Sequence, residues 1–408
     1  MKTKTGKTLI PRLHFPEFQN KGEWEVKRIG EFLTKYKARV KDSINNQNVE
    51  VVSVGELGLR KRNEVYSKIL SVNIENNLLF PYGSICFGLG SKKMALAVNK
   101  FENSKYCVSP AYNIYKIDTN RLNIIFYDYL INYYKNLFDD AFLVVSSRQG
   151  KKIDFNRFFE QPILIPSLPE QQKIASCLSS LDEVIAGERQ RLELLKAHKK
   201  GLLQNLFPQE GETLPKLRFP EFQDTGEWVE KRVGEIGNVI ASGDLDIETF
   251  SSIRTEKYKY PVYSNSISNE GLYGFSSTFK FKRNSMTVTA RGTIGVAFER
   301  KSDFTGIGRL IVVTDLKDVC LTFLKENWNH QAKINFENGG IPQLTAIKAK
   351  LVTLLFPKSI EEQQKIASCL SSLDNVIQAQ QQKIEWLEQH KKGLLQGLFP
   401  NVNDGDNG

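Results

Sequence analysis

Two long stretches of the chain have the hydrophobic spacing of a coiled coil. Apolar residues alternate at intervals of four and three along 170–207 and again along 362–399. A mean period of 3.5 residues predicts a helix whose seam faces another helix. The apolar seam residues include Ile174, Leu178, Leu181, Ile185, Leu192, Leu195, Ile366, Leu370, Leu373, Ile377, Ile384 and Leu387.

The polar exceptions in the two seams fall at matching places. They are Glu188 and Lys199 in the first stretch and Gln380 and Lys391 in the second. Polar seam residues are a known means of fixing register, so we predict that the two helices pair with each other. About 36 residues at a rise of 1.5 Å would give each helix a length of roughly 54 Å.

The two helical stretches are copies of each other. Residues 170–208 and 362–400 share 28 identities in 39 positions, and two shorter segments, 11–32 and 215–236, share 14 in 22. We call the shorter segments the lead-ins, and the lead-ins and helices together the frame. The segments between them, about 33–169 and 237–361, show no such likeness. A constant frame with two different inserts predicts one mechanical role performed twice on two different targets.

The order of these repeats also predicts an arrangement in space. The second lead-in follows the first helix directly, so by pseudo-symmetry the first lead-in should lie beside the end of the second helix. The chain would then be circular in organisation, with halves related by an approximate two-fold axis. The predicted fold class is α+β, with two mixed α/β domains separated by two long antiparallel coiled-coil helices.

The inserts show short β-prone runs between Gly, Asn and Ser. Strands are predicted at 49–54, 69–72, 84–87, 260–263, 286–290 and 309–313, and helices near 124–137 and 320–335. The predicted division is 1–168 for the first domain with its lead-in, 169–208 for the central helix, 209–360 for the second domain with its lead-in, 361–400 for the C-terminal helix and 401–408 for a flexible tail.

Charge is concentrated on the inserts. The chain carries a formal net charge of +10 and has a pI near 9.1. Residues 25–168 carry 21 basic against 14 acidic residues and 229–360 carry 18 against 13, whereas 170–207 and 362–399 are nearly neutral. This distribution favours inserts that meet a phosphate backbone. A generically basic protein is the alternative explanation.

Several basic and aromatic clusters in the inserts are candidates for contact with DNA. Lysine mostly anchors phosphates, while Arg, Gln and Asn can read base edges. For any single cluster, an ordinary solvated surface is the alternative. The candidates are Arg60, Lys61, Arg62, Lys92, Lys93, Arg148, Gln149, Lys151, Lys152, Lys257, Tyr258, Lys259, Lys280, Lys282, Arg283, Arg291 and Thr293.

Motifs for catalysis and for metal binding are missing. Gly6-Lys7-Thr8 lacks the upstream glycine of a P-loop. The five cysteines form no C-x-x-C pair and the four histidines are far apart, which argues for free thiols and against zinc. We predict no catalytic residue, no metal ligand and no cofactor in this chain. Its apolar runs are too short to span a bilayer, and we predict a cytoplasmic protein.

The chain resembles the specificity subunit of type I restriction-modification systems over nearly its whole length. The residues that carry the resemblance are Glu-Gln-Gln-Lys-Ile-Ala at 170–175 and 362–367, Lys-Lys-Gly-Leu-Leu-Gln at 199–204 and 391–396, and the Phe-Pro-Glu-Phe and Gly-Glu-Trp groups of the lead-ins. The resemblance implies that each insert is a target recognition domain reading one half of a split DNA sequence, with the helices setting the unread spacer.

The resemblance also implies partners. Two modification subunits with S-adenosylmethionine would dock on the frame and methylate adenine, and restriction subunits with ATP and Mg²⁺ would join them. Two alternatives remain open from the sequence. One is a non-restriction bipartite DNA-binding adaptor or repressor, and the other is a self-contained methyltransferase or nuclease whose motif is not recognised.

Overall fold

A computed structural model describes most of the chain, and its contacts divide the chain into two units. The first unit contains Met1–Gly187 and Ile384–Gly408, and the second contains Glu188–Lys383. Each unit therefore holds one insert, one lead-in and a part of each long helix. The described residues are 11–19, 21, 23–43, 48–62, 73–88, 93–138, 142–145, 151–334 and 342–400.

The first insert is built on two four-stranded sheets. One is fully antiparallel, in the order β2-β9-β6-β7; the other has the order β4-β3-β8-β5, with β3 and β8 parallel. A lead-in strand, β1, pairs with β12 just before the first long helix, and β10 pairs with β11. The strands are β1 (Glu25–Arg28), β2 (Leu33–Tyr36), β3 (Glu50–Gly55), β4 (Gly58–Lys61), β5 (Leu78–Phe80), β6 (Ser84–Phe87), β7 (Leu96–Asn99), β8 (Tyr106–Val108), β9 (Asn113–Ile117), β10 (Leu143–Val145), β11 (Lys151–Ile153) and β12 (Pro162–Ile165).

The core of the first unit lies between its antiparallel sheet and its helices. Helix α1 (Ile124–Phe138) buries Phe126 and Leu130 completely, and α2 (Phe155–Glu160) contributes the buried Phe158. The same core takes in Ile174, Leu178 and Leu398 from the long helices. Burial of this apolar surface fastens the first insert to its part of the frame.

The second insert repeats the antiparallel sheet of the first with a different sequence, and its other sheet differs in strand order. Its antiparallel sheet has the order β14-β21-β18-β19. Its mixed sheet has the order β15-β17-β16-β20, with β16 and β20 parallel. The lead-in strand β13 pairs with β22. The strands are β13 (Val229–Arg232), β14 (Asn238–Ala241), β15 (Phe250–Ser251), β16 (Tyr260–Tyr263), β17 (Leu272–Ser276), β18 (Ser285–Val288), β19 (Ala297–Arg300), β20 (Thr305–Gly306), β21 (Ile311–Thr314) and β22 (Thr353–Phe356).

Two helices of 39 residues form the frame, α3 (Leu168–Leu206) and α7 (Ile360–Leu398). The second insert contributes the shorter α4 (Val233–Ile236), α5 (Leu321–Gln331) and α6 (Ala346–Leu351). Within the second unit the contacts of α3 move backwards along α7, from Gln380 opposite Glu188 to Asp374 opposite Lys199. The two helices are therefore antiparallel there, and the prediction that they pair with each other is confirmed.

The predicted strands and helices of the inserts are confirmed within a few residues where the structure describes them. The runs at 84–87 and 260–263 are β6 and β16, and 124–137 is α1. Helix α5 ends at Gln331, earlier than the predicted end near 335. The strand predicted at 69–72 lies outside the described residues.

The lead-ins lie against helix ends, as the repeat order predicts. In the first unit, the Leu13 N–H donates to the carbonyl of Gly397 at 2.8 Å, and in the second the Leu217 N–H donates to Asn205 at the same distance. Gly397 is needed for this contact, because a Cβ there would stand 2.4 Å from the Leu13 side chain. The beginning of the described chain thus meets the end of α7.

Candidate nucleic-acid interface

The repeated Glu-Gln-Gln-Lys-Ile-Ala motif fastens each lead-in to the start of a long helix. In the first unit Glu170 is buried, and its Oε1 accepts a hydrogen bond from Trp24 Nε1 at 3.2 Å. His14 Nε2 lies 2.8 Å from the same oxygen. Glu170 therefore links the lead-in to α3 inside the protein, where it is inaccessible to a partner.

The second unit makes the same link with a stronger pair. Glu362 accepts from Trp228 Nε1 at 3.3 Å, and Arg218 donates to both of its carboxylate oxygens, at 2.7 and 2.8 Å. The side chain of Glu362 is 1% exposed and that of Arg218 is 9% exposed. Two parallel donors on one carboxylate form the bidentate geometry that arginine favours.

The glutamine that follows holds the insert helix. Gln171 Oε1 accepts from the Asn123 N–H at 2.8 Å, just before α1, and Gln363 Oε1 accepts from the Cys320 N–H at 3.0 Å, just before α5. Each glutamine so satisfies a backbone donor at a helix start that otherwise has no partner within its helix. The repeated motif is structural in both units: it joins lead-in, insert and long helix.

The polar residues that interrupt the apolar seam form ion pairs or hydrogen bonds with residues of the other long helix. Lys199 Nζ donates to both oxygens of Asp374, at 2.7 and 2.8 Å, and Lys391 Nζ donates to Asp182 at 2.5 Å. The two pairs occupy equivalent repeat positions, one in each unit. Gln380 donates to the Glu188 carboxylate at 2.6 Å.

The predicted apolar seam residues are sheltered, as a helix-facing position requires. Each one is buried or half-buried, and none is exposed. The buried ones are Ile174, Leu178, Ile185, Ile366, Leu370, Ile384 and Leu387, and the half-buried ones are Leu181, Leu192, Leu195, Leu373 and Ile377.

Among the DNA-binding candidates, Arg291 and Thr293 occupy the hairpin loop between β18 and β19, and both are exposed. The loop is held from within: Thr289 Oγ1 donates to the carbonyl of Thr293 and accepts from the Val296 N–H at 3.0 Å. Trp328 Nε1 of α5 donates to the carbonyl of Gly295 at 2.9 Å. The loop presents its polar side chains from a fixed backbone, which favours selective recognition over flexible contact.

A second group of candidates surrounds an open cleft of about 520 Å³ on the mixed sheet of the second insert, which contains β16 and β17. Lys259 and Arg283 line it together with Arg254 and Lys301, which sequence reasoning missed. Asp303 lies there too, accepting a hydrogen bond from the Arg283 backbone N–H at 2.8 Å. Four cations around one carboxylate make this cleft a suitable site for phosphate groups.

The remaining candidates of the second insert lie on its surface. Lys257 and Lys259 place their ammonium groups over the rings of Tyr258 and Tyr260, at 5.1 and 5.2 Å from the ring centres. Lys280 and Lys282 are exposed on the segment between β17 and β18. These contacts leave the lysines accessible to solvent and so to a phosphate backbone.

The first insert is described less completely around its candidates. Arg60 and Lys61 lie exposed on β4, where Lys61 pairs with Glu50 at 3.1 Å, and Arg62 is half-buried. Lys93 lies at the end of the β6–β7 loop, and its backbone N–H donates to Glu56 Oε1 at 3.1 Å. Lys92, Arg148 and Gln149 lie outside the described residues, while Lys151 and Lys152 belong to β11.

The two hairpin loops correspond in topology, because β6–β7 and β18–β19 occupy the same places in sheets of the same order. In each insert an oxygen from another turn accepts a backbone N–H of the loop. It belongs to Glu56 in the first insert and to Asn265 in the second, where Ala290 N–H donates at 2.6 Å. The two inserts thus support a comparable loop with different residues.

Features of other protein classes are not found in the described part of the chain. Within it, no cluster of three or more His, Cys, Asp or Glu could hold a metal ion. None of its helices has the combination of length and apolar character needed to cross a bilayer. The five cysteines are free thiols, and burial raises the pKa of Cys86, which disfavours the reactive thiolate there.

Comparison with known proteins agrees with this architecture. A family model described as the type I restriction modification DNA specificity domain matches residues 21–197 and again 225–389. Two proteins of Mycoplasma pneumoniae, each named as a type I specificity subunit, are 26% identical over 273 residues and 27% identical over 283 residues. Each alignment covers 67% of this chain, with 70% of the first relative and 79% of the second.

Solved structures share the fold. The crystal structure of a type I restriction-modification S subunit from M. genitalium aligns with 97% of this chain and 100% of its own, with a TM-score of 0.61 and 16% identity. A structure titled for the complex assembly and conformational transition of the type I R-M system aligns with 91% of this chain and 96% of its own, with a TM-score of 0.54 and 14% identity.

Proposed function

The chain belongs to the type I restriction-modification DNA specificity family, and from this premise we propose that it reads a two-part target in double-stranded DNA, one half with each insert. One observation carries the proposal. The two inserts share the strand order of their antiparallel sheet and their attachment to the frame, yet present hairpin loops of unrelated sequence. Equal scaffolds with different loops suit two different half-sites.

The long helices fix the spacing between the half-sites in this proposal. Each has 39 residues, and at 1.5 Å per residue this is roughly 58 Å of helix. One turn of DNA is about 34–36 Å. A gap of fixed length between the two half-sites follows, because neither helix can shorten without breaking its paired seam.

We further propose that two modification subunits dock on the frame. Large apolar side chains are exposed on the long helices at two pairs of equivalent repeat positions. Val184 and Val376 are 48% and 45% exposed, and Leu194 and Trp386 are 64% and 63% exposed. Exposed apolar residues at repeated positions suit two copies of one partner.

The catalytic chemistry is assigned to those partners. S-adenosylmethionine for adenine methylation would be bound by the modification subunits, and ATP and Mg²⁺ by the restriction subunits. Within this proposal, the role of the chain itself is recognition and assembly.

Mapping methylated adenines tests the proposal directly. The chain would be co-expressed with its modification subunit, and the host DNA sequenced at single-molecule level. We expect a two-part motif with a fixed gap. Replacing residues 33–169 with a homologous insert should change one half of that motif and leave the other half and the gap unchanged.

Three results would count against the proposal. An unmethylated genome, given an intact complex, would favour a bipartite DNA-binding adaptor or repressor outside restriction. A change in both halves of the motif after the swap would contradict the assignment of one insert to one half-site. Cleavage of DNA by the purified chain alone would indicate an enzyme.

A further inference from the structure

In the second insert, the side chain of Asn265 forms hydrogen bonds with the backbone just before each of two exposed arginines. Asn265 Oδ1 accepts from the Ala290 N–H at 2.6 Å, and its Nδ2 donates to the Gly308 carbonyl at 2.7 Å. The residues that follow these two anchor points are Arg291 and Arg309. The residues that precede the two arginines are therefore both hydrogen-bonded to the side-chain amide of Asn265.

Arg309 is held in an unusual conformation. Its φ is +66°, in the left-handed region that residues other than glycine rarely adopt. The turn around it is fixed, because Gly308 N–H donates to Gly243 at 3.0 Å, and Ser242 N–H donates to Leu310, which is fully buried. The fold thus maintains a disfavoured backbone conformation at an exposed arginine, as is common at functional sites.

The Arg309 guanidinium is also unpaired within the described residues. Within the described part of the chain it has neither a hydrogen-bond partner nor an ion-pair partner. Arg218, which links the second lead-in to α7, is by contrast paired with Glu362. An exposed, unpaired guanidinium on a fixed turn is available for a ligand.

Gln343 joins this group through the same anchor. Leu344 N–H donates to the Ala290 carbonyl at 3.0 Å, which fixes the segment that carries Gln343. Arg291 Nη2 lies 3.4 Å from Gln343 Oε1. Ala290 and Leu344 are both fully buried, so the polar side chains beside them project from packed backbone.

We propose that Arg309, Arg291 and Gln343 read base edges in the half-site of the second insert, with Asn265 as their positioning residue. The proposal rests on the proposed function and names its recognition residues. Arginine donates two hydrogen bonds to guanine O6 and N7, and glutamine pairs in the same way with adenine. Base readout needs donors at fixed places, which the shared anchor supplies, whereas phosphate binding is served by the basic cleft with Lys301.

Base selection by variants of the chain tests this proposal. The full-length chain, assembled with its modification subunits, would be allowed to bind duplexes randomised over both halves of the wild-type motif, and the bound fraction would be sequenced. We expect Arg309→Ala and Arg291→Ala each to lose preference at one or two base pairs of one half-site. The loss of discrimination should be roughly 5- to 150-fold per position, and the other half-site should stay unchanged.

The matched control is Lys301→Ala, which also removes one positive charge. It should weaken binding to all sequences alike and leave the selected motif unchanged. Asn265→Ala removes no charge, so we expect it to relax the same base pairs as both arginine variants while binding to unrelated DNA is kept. A merely structural effect of Asn265 would instead lower binding to all sequences in proportion to lost folded protein.

Two results would overturn the inference. If the arginine variants lower affinity uniformly and keep the motif, as the Lys301 control does, the arginines bind phosphate. If only variants elsewhere in the second insert alter its half-site, the readers lie there. A wild-type complex that selects no two-part motif would remove the proposed function as well, which separates the two failures.

Discussion

In the first unit Glu170 accepts a hydrogen bond from Trp24 and lies against His14; in the second, Glu362 accepts one from Trp228 and is gripped by Arg218. The architecture of the link is the same, but its electrostatics differ. Arginine stays charged at any working pH, so the second link is a buried ion pair. The frame therefore tolerates exchange of His14 for Arg218 while it keeps the carboxylate and the indole.

The inserts differ far more than the frames do. Both hairpin loops are supported by an oxygen from another turn, but the oxygen is a carboxylate at Glu56 and an amide at Asn265. The amide also donates, to Gly308, and so joins a second turn to the loop. Contacts that position an insert are repeated almost residue for residue, and contacts that shape its loops are not. This is the division expected if position is shared and recognition is individual.

The largest expected effect distinguishes the two buried carboxylates. Glu362→Gln leaves Arg218 charged and sheltered without its counter-ion, which should cost about 3–5 kcal/mol of unfolding free energy. Glu170→Gln removes no obligatory ion pair, and should cost about 1–3 kcal/mol. Urea unfolding followed by circular dichroism checks both values. Equal losses would mean that His14 and Arg218 contribute alike.

Docking of partners should also differ between the equivalent positions. Trp386 stacks on His390, with 5.5 Å between ring centres, whereas its counterpart is Leu194. Because buried Trp residues dominate many interfaces, Trp386→Ala should cost about 2 kcal/mol or more in binding to a modification subunit. Leu194→Ala should cost less. Titration with the modification subunit, followed by calorimetry, measures both, and unchanged affinity in both variants would place the docking surface elsewhere.

How much of this arrangement the sequence can predict depends on the range of the interactions. The heptad spacing is local and long, so it predicts both helices to within a few residues. Asp182 and Asp374 lie in the repeated sequence, yet each is important because of a lysine in the other copy of the helix. These lysines are 209 and 175 positions away, and no local pattern marks the pairs.

The recognition residues show the same limit. Arg291 stands beside Gly and Thr in a loop and is noticeable in the sequence, but Arg309 is a single arginine between Gly308 and Leu310. Asn265 and Gln343 carry no signal at all. Their connection arises only when three separate turns converge on one amide group, which is a tertiary event. Clusters of like residues indicate a charged surface, not a shaped site.

The reciprocal ion pairs of the seam should contribute equally if the two copies of the helix are mechanically equivalent. A double-mutant cycle on Lys199 and Asp374, with Lys199→Met and Asp374→Asn, should give a coupling energy of about 1 kcal/mol, since both side chains keep some solvent exposure. The same cycle on Lys391 and Asp182 should agree with it. Chemical denaturation at low salt measures both cycles, and a coupling confined to one pair would show that the copies have diverged.

The smallest expected effect concerns Glu188, one of the polar residues that interrupt the apolar seam. Lys383 and Gln380 donate to its carboxylate and hold its pKa below its usual value. A lowered pKa means that the stabilisation is present above the usual carboxylate range and is lost as the pH falls through the lowered value. Glu188→Gln should therefore unfold earlier than wild type at neutral pH, and the two proteins should converge in acid. Urea midpoints measured from pH 7 to pH 3 give the comparison, with Glu183→Gln as an exposed control on the same helix, and a difference that persists unchanged into acid would show that the charge of Glu188 does not hold the helices together.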